Sequence, residues 1–226
     1  IKYHNIDDII MKKLNDKLLN IKNLDCLFFL TASREDTFLK PVYSILNELD
    51  LQKRNYKIIT SDVTTGINLS NKNISHLDIF ELVQIISKHL ESDQIGKNIK
   101  NIIYEKLPQV KPLGYKTIES FLIKETLRSF ALLKICKYII EKINPASILV
   151  SDDGEMLGNS AISISKKNKI TSYALITNLM NNAPIFTDWF HADKILTYGY
   201  HGKKLLNRLN YDSDRIIVTG NPRNDN

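Results

Sequence analysis

Residues Ser147–Ser160 read S-I-L-V-S-D-D-G-E-M-L-G-N-S, and how this stretch is read decides the fold. Ser147–Ser151 is a short apolar run without period-2 alternation. That suits a strand covered on both faces, as in a parallel sheet sandwiched by helices. Three acids and a glycine then break the run, and Glu155–Lys167 follows with the apolar spacing of a short amphipathic helix. The unit is a strand, a polar turn and a helix.

Working outward, five more runs have the same character. They are Cys26–Thr31, Tyr56–Thr60, Thr171–Ile176, Lys194–Thr197 and Arg215–Thr219. Helical patterns separate most of them. Pro41–Leu51 sets Val42, Ile45, Leu46 and Leu49 on one stripe, with Pro41 tolerated in a first turn, and His201–Leu209 is similar. Strand–helix–strand repetition predicts an α/β fold, a Rossmann-like parallel sheet of about six strands covered on both faces. The rhythm breaks once, at residues 61–146, where a large helical insertion is expected between the second and third strands. Within it, Ser75 and Asp78 read as an N-cap pair ahead of Ile79, Leu82, Val83, Ile86 and Leu90. Thr117–Ile143 (Phe121, Leu122, Phe130, Leu133, Ile135, Ile139, Ile140) reads as a buried helix stopped by Pro145. Residues 1–25 form another amphipathic helix (Ile6, Ile9, Ile10, Leu14, Leu18, Leu19), expected on the sheet edge.

Composition narrows the classes. Hydrophobic residues make 43% of the 226, too many for a disordered chain. Cys26 and Cys136 lie inside apolar runs and read as buried thiols of a reducing compartment. No apolar stretch approaches bilayer-spanning length, and no signal peptide opens the chain, so a cytoplasmic protein is expected. The formal charge is +6, but Ile, Lys and Asn together make 79 residues, a bias that suits an AT-rich genome. Much of the lysine therefore carries no information about a polyanionic partner. Basic residues are not interleaved with aromatics, which argues against nucleic acid. The stretch Ser92–Lys116, with Lys97, Lys100, Lys106, Lys111 and Lys116, reads as a solvated loop. Its alternatives are a lid or a peripheral contact with anionic lipid at the inner face of the plasma membrane.

In open α/β sheets ligands bind outside the carboxyl ends of the strands. After the first strand come Ser33, Arg34, Glu35, Asp36 and Thr37, which offer hydroxyl, guanidinium and carboxylate groups. Thr37 reads as a helix cap. After Ser147–Ser151 come Asp152, Asp153 and Glu155. Three neighbouring carboxylates repel one another, so at least one is expected to serve as a base, orient a hydroxyl or bind a cation. Capping by Asp153 and a helix-dipole role for Glu155 explain one or two of them, not all three. His201, between Gly199 and Gly202 at a helix start, is a candidate ligand contact. His191, beside Trp189 and Phe190, reads as packing. The chain lacks G-x-G-x-x-G and G-x-S-x-G, no Cys or His spacing matches zinc, and no metal site is expected. Gly154-x-x-x-Gly158-Asn159-Ser160 imitates a phosphate loop but lacks its lysine. Asp153-Gly154-Glu155 looks like the metal-binding acid pair of single-domain nucleotide-sugar transferases, an architecture the surrounding strand–helix units fit poorly.

The last third carries a resemblance. Asp152–Asn159, then Ala192-Asp193-Lys194-Ile195-Leu196-Thr197-Tyr198-Gly199, then Ile217-Val218-Thr219-Gly220-Asn221-Pro222-Arg223-Asn224-Asp225, is similar to the end of the N-terminal half of GT-B glycosyltransferases. The closest groups are surface-polysaccharide, CDP-glycerol glycerophosphotransferase-like and UDP-N-acetylglucosamine 2-epimerase-like proteins. The resemblance covers about residues 147–226, with weaker support from Ser33–Leu49. It implies that residues 1–226 form an acceptor-side domain, inactive alone and separated from a C-terminal donor-binding domain. A sugar would pass from a nucleotide-activated donor to a hydroxyl of a glycan or glycolipid acceptor, in bacterial capsule or other surface-polysaccharide synthesis. Asp153, Asp152 or Glu155 would act as base, and Ser33, Arg34, Glu35, Asn178 and His201 would hold the acceptor. Arg223 and Asn221 would face donor phosphates at the hinge. No cofactor is implied, because the nucleotide sugar is a substrate. Relatives carry a His-Gly pair where this chain has Thr177–Asn182, so that histidine has no counterpart here. A nucleotide-sugar 2-epimerase-like enzyme and a non-catalytic glycan-binding or docking module remain open alternatives, as does oligomerisation.

Overall fold

The computed structural model describes residues 5–19, 21, 23–31, 39–92, 97–98, 101–102, 105–106, 116–175 and 190–220. In chain order the elements are α1 (Ile6–Leu18), β1 (Cys26–Leu30), α2 (Lys40–Leu51), β2 (Tyr56–Thr60), α3 (Val63–Asn71), β3 (His76–Asp78), α4 (Phe80–Ser92) and α5 (Lys116–Ile143). They continue with β4 (Ser147–Val150), α6 (Met156–Lys167), β5 (Thr171–Leu175), β6 (Lys194–Tyr198), α7 (Tyr200–Arg208), a 3-10 turn (Ser213–Arg215) and β7 (Ile216–Thr219). The strands form one sheet in the order β3-β2-β1-β4-β5-β6-β7, and every neighbouring pair is parallel.

The missing alternation in the strand sequences has a direct physical counterpart. Successive residues of β1 feed two different cores. Leu27 and Phe29 join one, Phe28 and Leu30 the other. Ile59 and Ile58, Val150 and Leu149, and Ala174 and Leu175 divide in the same way. A strand with a core on each side has no solvent face to mark with polar residues. Val42 and Leu46 of α2 and Leu69 of α3 cover one face. Residues of α1, α4, α5 and α6 form the larger core on the other.

Several expectations need correction. Among the described residues the sheet has seven strands against the expected six or so, because residues 61–146 contain an edge strand as well as helices. His76-Leu77-Asp78 is too short and too polar to show as an apolar run, yet it pairs with Ile58–Thr60. Ser75 therefore caps nothing; its hydroxyl accepts from Lys57 Nζ at 3.1 Å, and Asp78 Oδ1 accepts from Phe80 N at 2.7 Å to open α4. Helix α1 packs on α4 and α5 rather than on the sheet edge, with Ile6, Ile9, Ile10, Leu14 and Leu18 buried and Leu19 exposed. In α5 the buried stripe includes Ile123, Leu127, Ala131, Ile135, Cys136 and Ile139, whereas Phe121 is 60% exposed. The last strand begins at Ile216, and Arg215 belongs to the 3-10 turn. Both cysteines are free thiols; burial pushes Cys26 up to about 11 and Cys136 higher still.

The helix ends follow a common rule with uncommon residues. Lys53, Asn73, Asn144, Lys169 and Asn210 all have φ between 48° and 63°, each just beyond a helix. The next amide reaches back five residues in four cases: Arg54 N to Leu49 O (2.9 Å), Ile74 N to Leu69 O (2.9 Å), Ile170 N to Ser165 O (3.0 Å) and Tyr211 N to Leu206 O (3.1 Å). This is the left-handed helix stop usually assigned to glycine. After α5 the next residue is Pro145, which has no N–H, and the stop reduces to one bond from Asn144 N to Ile140 O at 2.8 Å.

Candidate functional site at the β1/β4 switch point

The strand order fixes where a ligand crevice can open. From β1 the chain proceeds to β2 and β3 on one side of the sheet; from β4 it proceeds to β5, β6 and β7 on the other. The helices that follow also diverge: α2 contributes to one core and α6 to the opposite one. A sheet of this kind has its crevice outside the carboxyl ends of the two strands where the order reverses.

Ser151 holds that split together. Its backbone N–H still reaches Phe29 O at 3.3 Å, in continuation of the sheet. Its hydroxyl then accepts from Thr31 N (3.0 Å) and donates to Thr31 O (3.1 Å). One buried side chain thus replaces the next rung of the ladder.

The acidic turn follows, and its three acids do different things. Asp152 Oδ1 accepts from Gly154 N at 2.9 Å, which closes a local turn. Asp153 is 0% exposed. Its Oδ2 accepts from His191 N (2.7 Å) and Ala192 N (2.9 Å), while its Oδ1 is buried with no partner among the described residues. Burial raises the Asp153 pKa; the two amides oppose that rise. Glu155 is exposed and takes the N-cap position of α6 with extended backbone, but its side chain makes no capping bond. Neither Asp153 nor Glu155 therefore caps α6. Partial loss of hydration, then the charge of Asp152, raises the Glu155 pKa; the cation of Arg128 opposes this and the charge of Asp62 adds to it.

Asp62 and Arg128 were not among the sequence candidates. Asp62 follows β2 and caps α3, with Oδ2 accepting from Thr65 N and Thr65 Oγ1, both at 2.7 Å. The carboxyl-end rule, applied to Tyr56–Thr60, would have found it. Arg128 lies mid-helix on α5, with Nη1 4.0 Å from Glu125 and a buried Nε that has no partner among the described residues. Only the tertiary fold brings it to Glu155, so no sequence signal marks it. The turn is also tightly built: a Cβ on Gly158 would collide with the Asp152 carbonyl oxygen. Among the described residues no group of three or more His, Cys, Asp and Glu could hold a metal ion.

The other candidates separate by position. Ser33, Arg34 and Glu35, Asn178, and Asn221 and Arg223 lie outside the described residues. His201 is exposed on α7, two strands along from β4, about 10 Å away by strand spacing. His191 is also exposed and acts through its backbone; the packing belongs to Phe190, whose ring meets Tyr211 edge-on at 5.7 Å. Of the stretch 92–116, only scattered residues are described, so its lid and lipid readings lie outside them. No helix among the described residues is long and apolar enough to cross a membrane.

Against known proteins, no family model and no curated protein matches the chain. Solved structures do. A glycosyltransferase from Rickettsia africae superposes with a TM-score of 0.53 at 13% identity, over 88% of this chain and 43% of its own. A UDP-N-acetylglucosamine 2-epimerase gives 0.55 at 14% identity, over 90% and 48%. The corresponding epimerase from Rickettsia bellii gives 0.51 at 10%, over 90% and 46%. The fold is that of one GT-B domain. The chain spans less than half the length of these structures, and the likeness, at such low identity, speaks for the fold alone.

Proposed function

We propose that this chain is the acceptor-side domain of a glycosyltransferase that uses a nucleotide-activated sugar, with Glu155 as the base that takes the acceptor proton. The observation that carries this reading is the placement of Glu155: an exposed carboxylate at the switch point, its pKa raised by lost hydration and by Asp152 and Asp62. A base poised closer to neutrality than an ordinary glutamate suits deprotonation of a hydroxyl. Asp153 fits that role less well, because one of its oxygens already accepts two amides and the residue is closed to solvent. Asp152 shapes the turn and supplies field. Arg128 limits the repulsion among the acids and offers a donor to a ligand hydroxyl or phosphate. Ser33, Arg34, Glu35 and Asn178 stay in the proposal as acceptor contacts, His201 as a peripheral one, and Asn221 and Arg223 as groups toward the donor. A surface polysaccharide or glycolipid is the proposed acceptor.

The likeness to 2-epimerases supports a second reading, in which the same carboxylate removes a proton from the sugar of the donor. One experiment separates the two. The intact protein is incubated with a panel of nucleotide sugars, with and without a glycan acceptor. Turnover that requires acceptor supports transfer; isomerised nucleotide sugar without acceptor supports epimerisation. A Glu155→Gln protein that turns over normally in both formats overturns the role given to Glu155.

A further inference from the structure

Asp153 is the acid that this chemistry leaves unused, and its surroundings give it another task. It lies between Asp152 and Glu155, and its carboxylate takes the amides of His191 and Ala192, just ahead of β6. The same short segment is held from the other side. Arg215 Nη2 donates to Phe190 O (3.0 Å) and Ala192 O (2.6 Å), and its guanidinium sits 5.8 Å from the Tyr211 ring centroid. Tyr211 Oη accepts from Phe190 N at 3.1 Å. Asp193 Oδ2 accepts from Ser172 N (2.9 Å) and Ser172 Oγ (2.7 Å), which ties the segment to β5. A buried carboxylate and a guanidinium thus bind opposite polar groups of one stretch of backbone, and the side chains of Asp153, Ser172, Tyr211 and Arg215 satisfy residues 190–193. Residues 190–193 are also where the connection from β5 rejoins the sheet.

We propose that Asp153 and Arg215 are positioning residues: through the backbone of residues 190–192 they lock the Asp152–Glu155 turn against the chain that leads into β6. The inference rests on the reading of Glu155 as the ligand-facing carboxylate. With either anchor lost, the turn loosens, Glu155 regains water and moves away from Asp152. Both changes undo what raises its pKa.

The test is the titration of Glu155 in the whole chain, followed by NMR of the carboxyl carbon, in the native protein and in Arg215→Met and Asp153→Asn. Among the described residues the charges acting on Glu155 are Asp152, Arg128 and Asp62; Arg215 is not one of them. Any field effect from deleting the Arg215 cation would raise the Glu155 pKa, whereas loss of position lowers it. The signs are opposite. The expected result is a fall toward the ordinary glutamate value in Arg215→Met and in Asp153→Asn, restored at least partly by Arg215→Lys. An unchanged or higher value in folded Arg215→Met overturns the proposal. Should Arg215→Met fail to fold, an unchanged Glu155 titration in Asp153→Asn overturns it instead. If Glu155→Gln keeps full turnover while the titration shift is present, the catalytic reading fails and the positioning role stands.

Discussion

The turns after β4 and after β6 begin alike and end differently. Each follows a parallel strand, opens a helix and carries a glycine pressed against the turn: Gly158 on the Asp152 carbonyl, Gly202 on the Thr197 side chain. The turn after β4 lies where the strand order reverses, and it gathers charges from two other places, Asp62 at the end of β2 and Arg128 on α5, together with two neutral amides ahead of β6. The turn after β6 lies within one wing of the sheet. Gly199 takes a φ of 90° to start α7, and His201 and Tyr200 simply face solvent. Similar local architecture gathers charged side chains in one place and leaves two exposed side chains in the other. Topology makes the difference.

The comparison can be broken most sharply by activity. Glu155→Gln in the intact protein is expected to lower turnover by roughly 10²–10⁴-fold, the range for loss of a general base. His201→Ala, on the other turn and only a peripheral acceptor contact in the proposal, should lose far less. Equal losses in the two variants would remove the distinction. The acid limb of the native rate profile should lie above the ordinary glutamate pKa of 4.5, because Glu155 is active only when deprotonated and its pKa is raised. Plots of kcat/KM against pH locate that limb.

Stability tests come next. Asp153→Ala leaves the amides of His191 and Ala192 without their acceptor and is expected to cost about 3–5 kcal/mol, the sum of two bonds to a charged group. Urea unfolding measures it, and a loss below about 1 kcal/mol would remove Asp153 from the framework. Gly158→Ala should cost roughly 1–3 kcal/mol by overpacking, since the obstacle is backbone. Gly202→Ala meets the Thr197 side chain rather than backbone, so its loss should be smaller; a reversed order would show that the β4 turn is the more yielding one.

The pH dependence of stability has a definite sign. The folded pKa of Glu155 is raised, so its contribution to stability is complete below the unfolded value and is lost as pH rises through the folded one. Glu155→Gln removes that loss. Its Tm relative to native should therefore be higher at neutral pH than below pH 4.5, and a constant difference across that window would contradict the raised pKa. The smallest effect belongs to the helix ends: Lys53→Gly and Lys169→Gly should each stabilise by about 0.5–1 kcal/mol, because an L side chain is strained at positive φ.

Buried parallel strands were the most legible part of the sequence, because two cores leave no polar alternation to find. The edge strand His76-Leu77-Asp78 was not legible: its residues carry no strand signal, and pairing with β2 alone makes it one. The acids of the β4 turn were visible, but their division of labour was not. Which carboxylate turns inward depends on amides almost forty residues later in the chain. Arg128 could be recognised only once α5 was placed beside α6.

The left-handed stops beyond the helices use residues whose codons lie two changes from glycine. Codons for lysine and asparagine begin with two adenines and differ from every glycine codon in both the first and the second base. No single base change therefore turns either residue into glycine. Asparagine, and even lysine, holds helix ends where the smallest residue would carry no side-chain strain.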